Sequence, residues 1–279
     1  MKAVVIILLA GLSFAAPVCA DGVASSSATT ATPWVDDLAL INQTKADVQA
    51  QGVMAVEKYR QRLEDALAGA KHSIELAQSG MDTRYALTDG TTDTLMQMAL
   101  AAVDKTSKAK QVVAVQNPYP EISLYLGSYY DEIGNPEQAL RVLDAGLATL
   151  GSMELFVGGS DHRPVLIVER GAALNSLHRS ADALANFDQG LKLDGVSDFM
   201  RATMYRGRGF ALTELGKLDE AEASYSESLK LAPGNVHAEQ ELRYIAGLRS
   251  GRQPAKTYLA PVKPRDASSP ETDSKTTSQ

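Results

Sequence analysis

The chain has 279 residues, 44% hydrophobic and 22% charged, with a net charge of −7. Scarce aromatics, at 6%, beside abundant alanine favour closely packed helices over a large β core. An acidic chain without a basic run is a poor candidate for binding DNA or RNA, and the length allows one large or two ordinary domains.

Residues 1–20 read as a signal peptide. Lys2 is the positive start, Ala3 to Val18 is mostly apolar, and Val18-Cys19-Ala20 puts small residues before a cut after Ala20. The expectation is a periplasmic or secreted protein. A membrane anchor competes, but it needs about 20 apolar residues, and Gly11, Ser13 and Pro17 weaken this stretch. A lipoprotein at Cys19 is a third reading, weakened by Ala16 and Val18 where the lipobox has Leu and a small residue. No other segment approaches spanning length, so no membrane span is expected after cleavage. Removing Cys19 leaves no disulfide, thiol nucleophile or zinc–thiolate site. The sequon Asn42-Gln43-Thr44 matters only in a host that glycosylates. Residues 21–32, small and polar, read as a disordered linker.

Residues 33–117 read as an N-terminal helical region. Trp34 stands before the first helix as a packed anchor. Thr44 to Ser79 predicts one long helix, with Val48, Val56, Tyr59, Leu63, Leu67, Ala70, Ile74 and Ala77 on one stripe and a possible break near Gly52. A second helix is expected over Thr92 to about Lys108. Gln111–Gln116 (QVVAVQ) is open between a helix extension and a short strand.

From Pro120 the sequence repeats itself. Counting from Gly127, Gly171 and Gly209, positions +3, +12, +16 and +19 hold Tyr130, Ala139, Leu143 and Gly146, then Leu174, Ala183, Phe187 and Gly190, then Leu212, Ala221, Tyr225 and Ser228. The glycine lets two helices approach, and the alanine sits where a larger side chain would push them apart. Gly134 and Gly216 end the first helix of a hairpin in a left-handed conformation. Pro233 stops the last hairpin, and Asn235 opens a helix over Val236–Arg249 that covers the end of the stack.

This pattern resembles the tetratricopeptide repeat, L-G-x2-Y then A-x3-F then P. It implies an all-α chain, an α-α superhelix of tetratricopeptide-type hairpins over 118–250, with repeats near 120–153, 164–197 and 202–235 and a capping helix at 236–249. The glycines lie 44 and 38 residues apart against an ideal period of about 34, so residues are inserted after the first two repeats. Arg170 stands where Leu is usual, and His178 where Gly or a polar residue is usual. Residues 251–279, rich in Pro, Ser, Thr, Lys and Asp, read as a disordered tail dispensable for folding.

No catalytic or metal constellation stands out. His72, His162, His178 and His237 are not at metal-ligand spacing on one helix, and HExxH, P-loop and G-x-S-x-G motifs are absent. No cofactor is expected. Gly158–Arg163 sets Ser160, Asp161 and His162 side by side, but triad residues meet by folding, and a solvated loop is the plainer reading. Asp219 and Glu220 read as helix-opening acids.

The expectation is therefore an exported interaction scaffold, not an enzyme, that binds a protein or peptide in a concave groove. The alternatives are a homo-oligomer joined through the Thr44–Ser79 stripe and, less favoured, a hydrolase using the 158–163 loop. The resemblance places the groove on five positions of each first helix. The first repeat gives Glu121, Leu124, Ser128, Asp131 and Glu132. The second gives Val165, Val168, Ala172, Asn175 and Ser176, and the third Thr203, Arg206, Phe210, Thr213 and Glu214. Family members that grip a C-terminal carboxylate place Lys, Arg and Asn there. With Arg206 and Asn175 alone, that clamp is absent. An apolar partner segment with some positive charge near the first repeat is expected instead.

Overall fold

The computed structural model describes residues 33–79, 83–90, 94, 111–150 and 162–251, all within one compact unit. The expected signal peptide, linker and C-terminal tail, and all of the expected 92–108 helix except Thr94, lie outside the described residues.

The N-terminal region is a bent hairpin. α1 runs Pro33–Gln51, a 3-10 helix Val53–Lys58, and α2 Arg60–Gln78. The single long helix expected from the stripe is thus corrected in two ways. Gly52 breaks it at φ 85, a left-handed conformation that glycine alone adopts at little cost. The first helix also starts at Pro33, well before Thr44. That start was hidden because Thr44, fully buried, turns its hydroxyl back to the Leu40 carbonyl at 2.9 Å and interrupts the apolar stripe. Trp34 lies inside α1, buried, with its ring 5.0 Å from that of Tyr85.

Two short strands, β1 (Thr83–Thr88) and β2 (Gln111–Gln116), pair in parallel from Thr83↔Gln111 to Thr88↔Gln116. QVVAVQ is therefore a strand. This pair is the one sheet among the described residues, and β1 packs on α2.

Seven helices follow: α3 (Tyr119–Glu132), α4 (Pro136–Thr149), α5 (Arg163–Ser176), α6 (Ser180–Gly190), α7 (Asp198–Glu214), α8 (Leu218–Leu231) and α9 (Val236–Arg249). They pair as α3/α4, α5/α6 and α7/α8, with α9 against α8. The motif positions explain the pairing. A Cβ added at Gly127 would lie 2.8 Å from Leu143 Cδ2, at Gly171 2.3 Å from Phe187 Cζ, and at Gly209 2.9 Å from the Tyr225 ring. Leu143, Phe187 and Tyr225 thus press onto the glycine of their own hairpin. Phe187 also fills the seam to the next one, against Gly207. Ala139, Ala183 and Ala221 are buried at each crossing. Ser228, the third +19 residue, donates its hydroxyl to the Ala202 carbonyl at 2.8 Å.

Turn chemistry closes each hairpin. Gly134 and Gly216 adopt φ 72 and 73, and His178 takes the same place at φ 55. Asn135 and Asn235 cap α4 and α9 by accepting from the Gln138 and Ala238 amides.

Consecutive first helices touch, α3 with α5, α5 with α7 and α7 with α9, whereas the second helices α4, α6 and α8 do not pack on one another. Helices that touch on one side and splay on the other curve the stack, so α3, α5 and α7 form its inner wall.

Candidate functional site

The inner wall is the surface to which the sequence assigned the groove, and its positions differ in access. Glu121 and Leu124 are buried at the N-terminal end. Glu121 is held there by an ion pair to Lys45 of α1 at 2.9 Å, so the acidic end expected at the first repeat is already neutralised at that position. Val168 and Asn175 are buried, while Ser128, Val165, Ala172, Ser176, Thr203, Arg206, Phe210 and Thr213 are half-buried and Asp131, Glu132 and Glu214 are exposed. The accessible wall therefore begins at Ser128 and Asp131 rather than at Glu121.

The N-terminal hairpin causes that shift. α2 packs on α3 and α4, and α1 and the 3-10 helix on α3. Tyr119 donates to Asp37 at 2.8 Å, Tyr129 to Glu57 and Tyr130 to Glu64. Burial and the Glu57 carboxylate push Tyr129 up to about 12, so these phenols stay protonated donors. Of the stripe, Val56, Tyr59, Leu63, Leu67, Ala70 and Ala77 are buried within the chain, and Val48 and Ile74 are partly buried against the same core.

One wall residue was missed by the sequence reading. Glu169, two residues before the motif glycine of the second repeat, lies on α5, which packs on α3, the helix that carries Asp131. Desolvation first, and then the Asp131 charge, push its carboxyl up to about 7. Asp131 is itself raised, by desolvation and then by Glu132. Both reach solvent and are crowded by protein on their other sides, as side chains on a concave wall are. On α7, desolvation lowers Arg206, with Tyr225 partly offsetting it. Two acceptors on this wall are buried without a hydrogen-bond partner, Ser128 Oγ and Asn175 Oδ1. The amide of Asn175 spans the next seam, donating through Nδ2 to the Gly207 carbonyl at 3.2 Å. Repeat spacing could not have found Glu169. Its counterparts at the same offset are Tyr125 and Gly207, so the charge belongs to one repeat only.

The other sequence-level candidates separate from this wall. Ser160 and Asp161 lie outside the described residues. His162 is tied instead to Asp89 beyond β1, which takes both its Nδ1 and, at 3.1 Å, its backbone amide. That pair anchors the start of α5 to the sheet. Asp219 and Glu222 both bind Arg249, fastening α8 to α9, and Glu220 stands 3.7 Å from Lys217. Among the described residues no group of three or more His, Cys, Asp or Glu is placed to hold a metal ion, and no helix is long and apolar enough to cross a membrane.

No protein-family profile matches the chain, and no curated protein matches it. Among solved structures, it is similar to the first TPR domain of the human RPAP3 protein, at 26% identity and a TM-score of 0.39 over 48% of this chain and 96% of that one. The first TPR of Spaghetti (RPAP3) bound to HSP90 peptide SRMEEVD gives 26% and 0.39, over 47% and 94%. MamA 41-end from Desulfovibrio magneticus RS-1 gives 15% and 0.43, over 78% and 87%. The chain's own glycine contacts, alanine crossings and inner-wall packing make the fold a stack of tetratricopeptide-type helical hairpins.

Proposed function

We propose that this is an exported interaction scaffold whose inner wall, from Asp131 and Glu169 through Ala172 to Arg206 and Phe210, receives an extended protein segment. The observation that carries this is the row of accessible wall side chains on the touching helices α3, α5 and α7, Asp131, Glu169, Ala172, Arg206 and Phe210, among which Asp131, Glu169 and Arg206 are shifted chiefly by desolvation. Leaving such groups partly desolvated costs stability, and a bound segment that supplied the counter-charges would offset that cost. The half-buried Ala172 and Phe210 add an apolar floor. Export rests on the n-h-c pattern ending at Ala20, and N-terminal sequencing of the mature protein checks it: Met1 intact would remove that part of the reading.

The wall is tested in the native envelope with a photo-crosslinking residue placed at Ala172 or Phe210, and with a control at Glu227 on α8, whose side chain is 45% exposed. The same partner should be trapped from both wall positions and not from Glu227. Equal trapping from all three, or none from the wall, would overturn the proposal.

A further inference from the structure

The turn between α5 and α6 opens a pocket that the inner wall does not use. The turn residues from His178 to Asp182 line one side, and Glu214 and Leu215 at the end of α7 line the other, around a space of about 420 Å3. The repeat explains why it is there. Nine residues after the motif glycine stand Pro136, Ser180 and Leu218, so the second hairpin has its smallest side chain where the others carry a ring or a branched chain. We propose that this pocket binds a carboxylate carried beside an N–H donor and an apolar side chain, the chemistry of a free amino acid and of the last residue of a peptide. The inference goes beyond the inner-wall reading and uses none of its five residues.

The donors lie on the α6 side. Arg179 stands at the N-cap of α6 without a side-chain cap, whereas Asn135, Ser197 and Asn235 cap α4, α7 and α9. Among the described residues the amides of Ser180, Ala181 and Asp182 meet no protein acceptor. Such amides, with the helix dipole behind them, favour a negative group at the helix start. A further donor is independent of the helix. Ser180 lines the pocket at only 7% exposure, and its hydroxyl has no hydrogen-bond partner among the described residues. Unlike the hydroxyls of Tyr125 and Ser128, it is not sealed from solvent. A polar side chain this enclosed is ordinarily satisfied, and a carboxylate oxygen in the pocket would accept from it. Asp182 does not compete for these donors, because the Arg179 guanidinium engages its carboxylate at 2.8 and 2.7 Å.

The α7 side sets the rest of the ligand. Glu214 is exposed and makes no ion pair or hydrogen bond among the described residues, so it can accept from an ammonium or an amide N–H. Leu215 is 40% exposed, whereas Ile133 and Leu177, at the same offset in the other hairpins, pack on the core. An apolar side chain laid on Leu215 would give it the cover its counterparts have. A bare inorganic anion would leave Leu215 uncovered and meet Glu214 as a like charge.

Backbone amide NMR on the full chain tests this, with leucine and acetyl-Ala-Leu as probes. Each should move the Ser180, Ala181 and Asp182 amides saturably, with a dissociation constant in the millimolar range or tighter, and leucinamide, which lacks the carboxylate, should bind about tenfold more weakly or worse. Ser180→Leu, which puts the third hairpin's residue in the pocket, should abolish these shifts while the rest of the spectrum stays folded. The milder Ser180→Ala should weaken binding several-fold. A stronger response to leucine that Glu214→Gln removes would assign the pocket to free amino acids, and a stronger response to acetyl-Ala-Leu would assign it to chain ends. No saturable shift from either probe, equal binding of leucinamide, or binding unchanged in both Ser180 variants would overturn the proposal. Trapping at Ala172 and Phe210 is read separately, so the wall reading stands or falls on its own.

Discussion

His178 shows how one side chain departs from the repeat without breaking it. Gly134 and Gly216 hold the left-handed turn after α3 and α7, and His178 holds it after α5 at φ 55. The turn's hydrogen bonds are nevertheless made, His178 N to Asn175 O at 3.0 Å and Arg179 N to Leu174 O at 2.9 Å. The penalty is in backbone conformation, about 1 kcal/mol for a side chain in this region. His178→Gly should therefore stabilise the protein by about 0.5–1 kcal/mol in denaturant unfolding. A loss of stability would show that the imidazole makes a compensating contact. Gly171→Ala should do the opposite. Its new Cβ would meet Phe187 Cζ at 2.3 Å, and overpacking of this kind costs roughly 1–3 kcal/mol. Phe187→Leu in the same chain should recover part of that loss, since it clears the atom in conflict.

Arg170 and Arg208 show what the elements do where the motif is broken. Both stand directly before the motif glycine. Arg170 binds Asp144 of the preceding hairpin at 2.5 Å and Asn186 of its own at 3.0 Å. Arg208 repeats this with Asp188 at 2.7 Å and Ser224 at 2.6 Å. The same offsets thus build the same clasp twice between successive hairpins. Because these groups are partly exposed, the clasp is worth little by itself. A double-mutant cycle on Arg208 and Asp188 should give a coupling of about 0.2–1 kcal/mol, falling with salt, and zero coupling would show that the clasp adds nothing to stability.

The elements also show why some of the fold was legible and some was not. Hairpins α3/α4, α5/α6 and α7/α8 could be read because glycine and alanine at fixed offsets report a helix crossing, a local constraint repeated three times. The β1/β2 pair could not. Its strands come from separate segments, and QVVAVQ alone does not say which stretch it joins. The buried fate of Glu121 was equally hidden, since it depends on Lys45, 76 residues away. Glu169 lies at a position where the repeats share no residue type, so no periodicity pointed to it.

At the scale of the molecule, the core divides. One apolar cluster runs from Leu40 and Leu63 through Ile122, Leu166 and Phe187 to Met204 and Ala211. A smaller one holds Leu212, Ala221, Tyr225, Ala238 and Ile245 at the C-terminal end, with Leu184 packed against both. In a stack whose units touch mainly their neighbours, stability is close to a sum of local terms, and ends can open without the middle. Leu63 and Ile245 are both buried, at opposite ends. Truncating either to alanine removes buried methyl groups and should cost roughly 2–5 kcal/mol locally. Native-state hydrogen exchange should separate the two. Ile245→Ala should speed exchange in α8 and α9 and leave α1 to α4 close to wild type. Leu63→Ala should speed exchange in α1 to α3 and leave α8 and α9 protected, because the smaller cluster does not include α2. Equal acceleration along the whole chain for either variant would mean that the stack opens only as a unit, and the division of the core would then have no thermodynamic consequence.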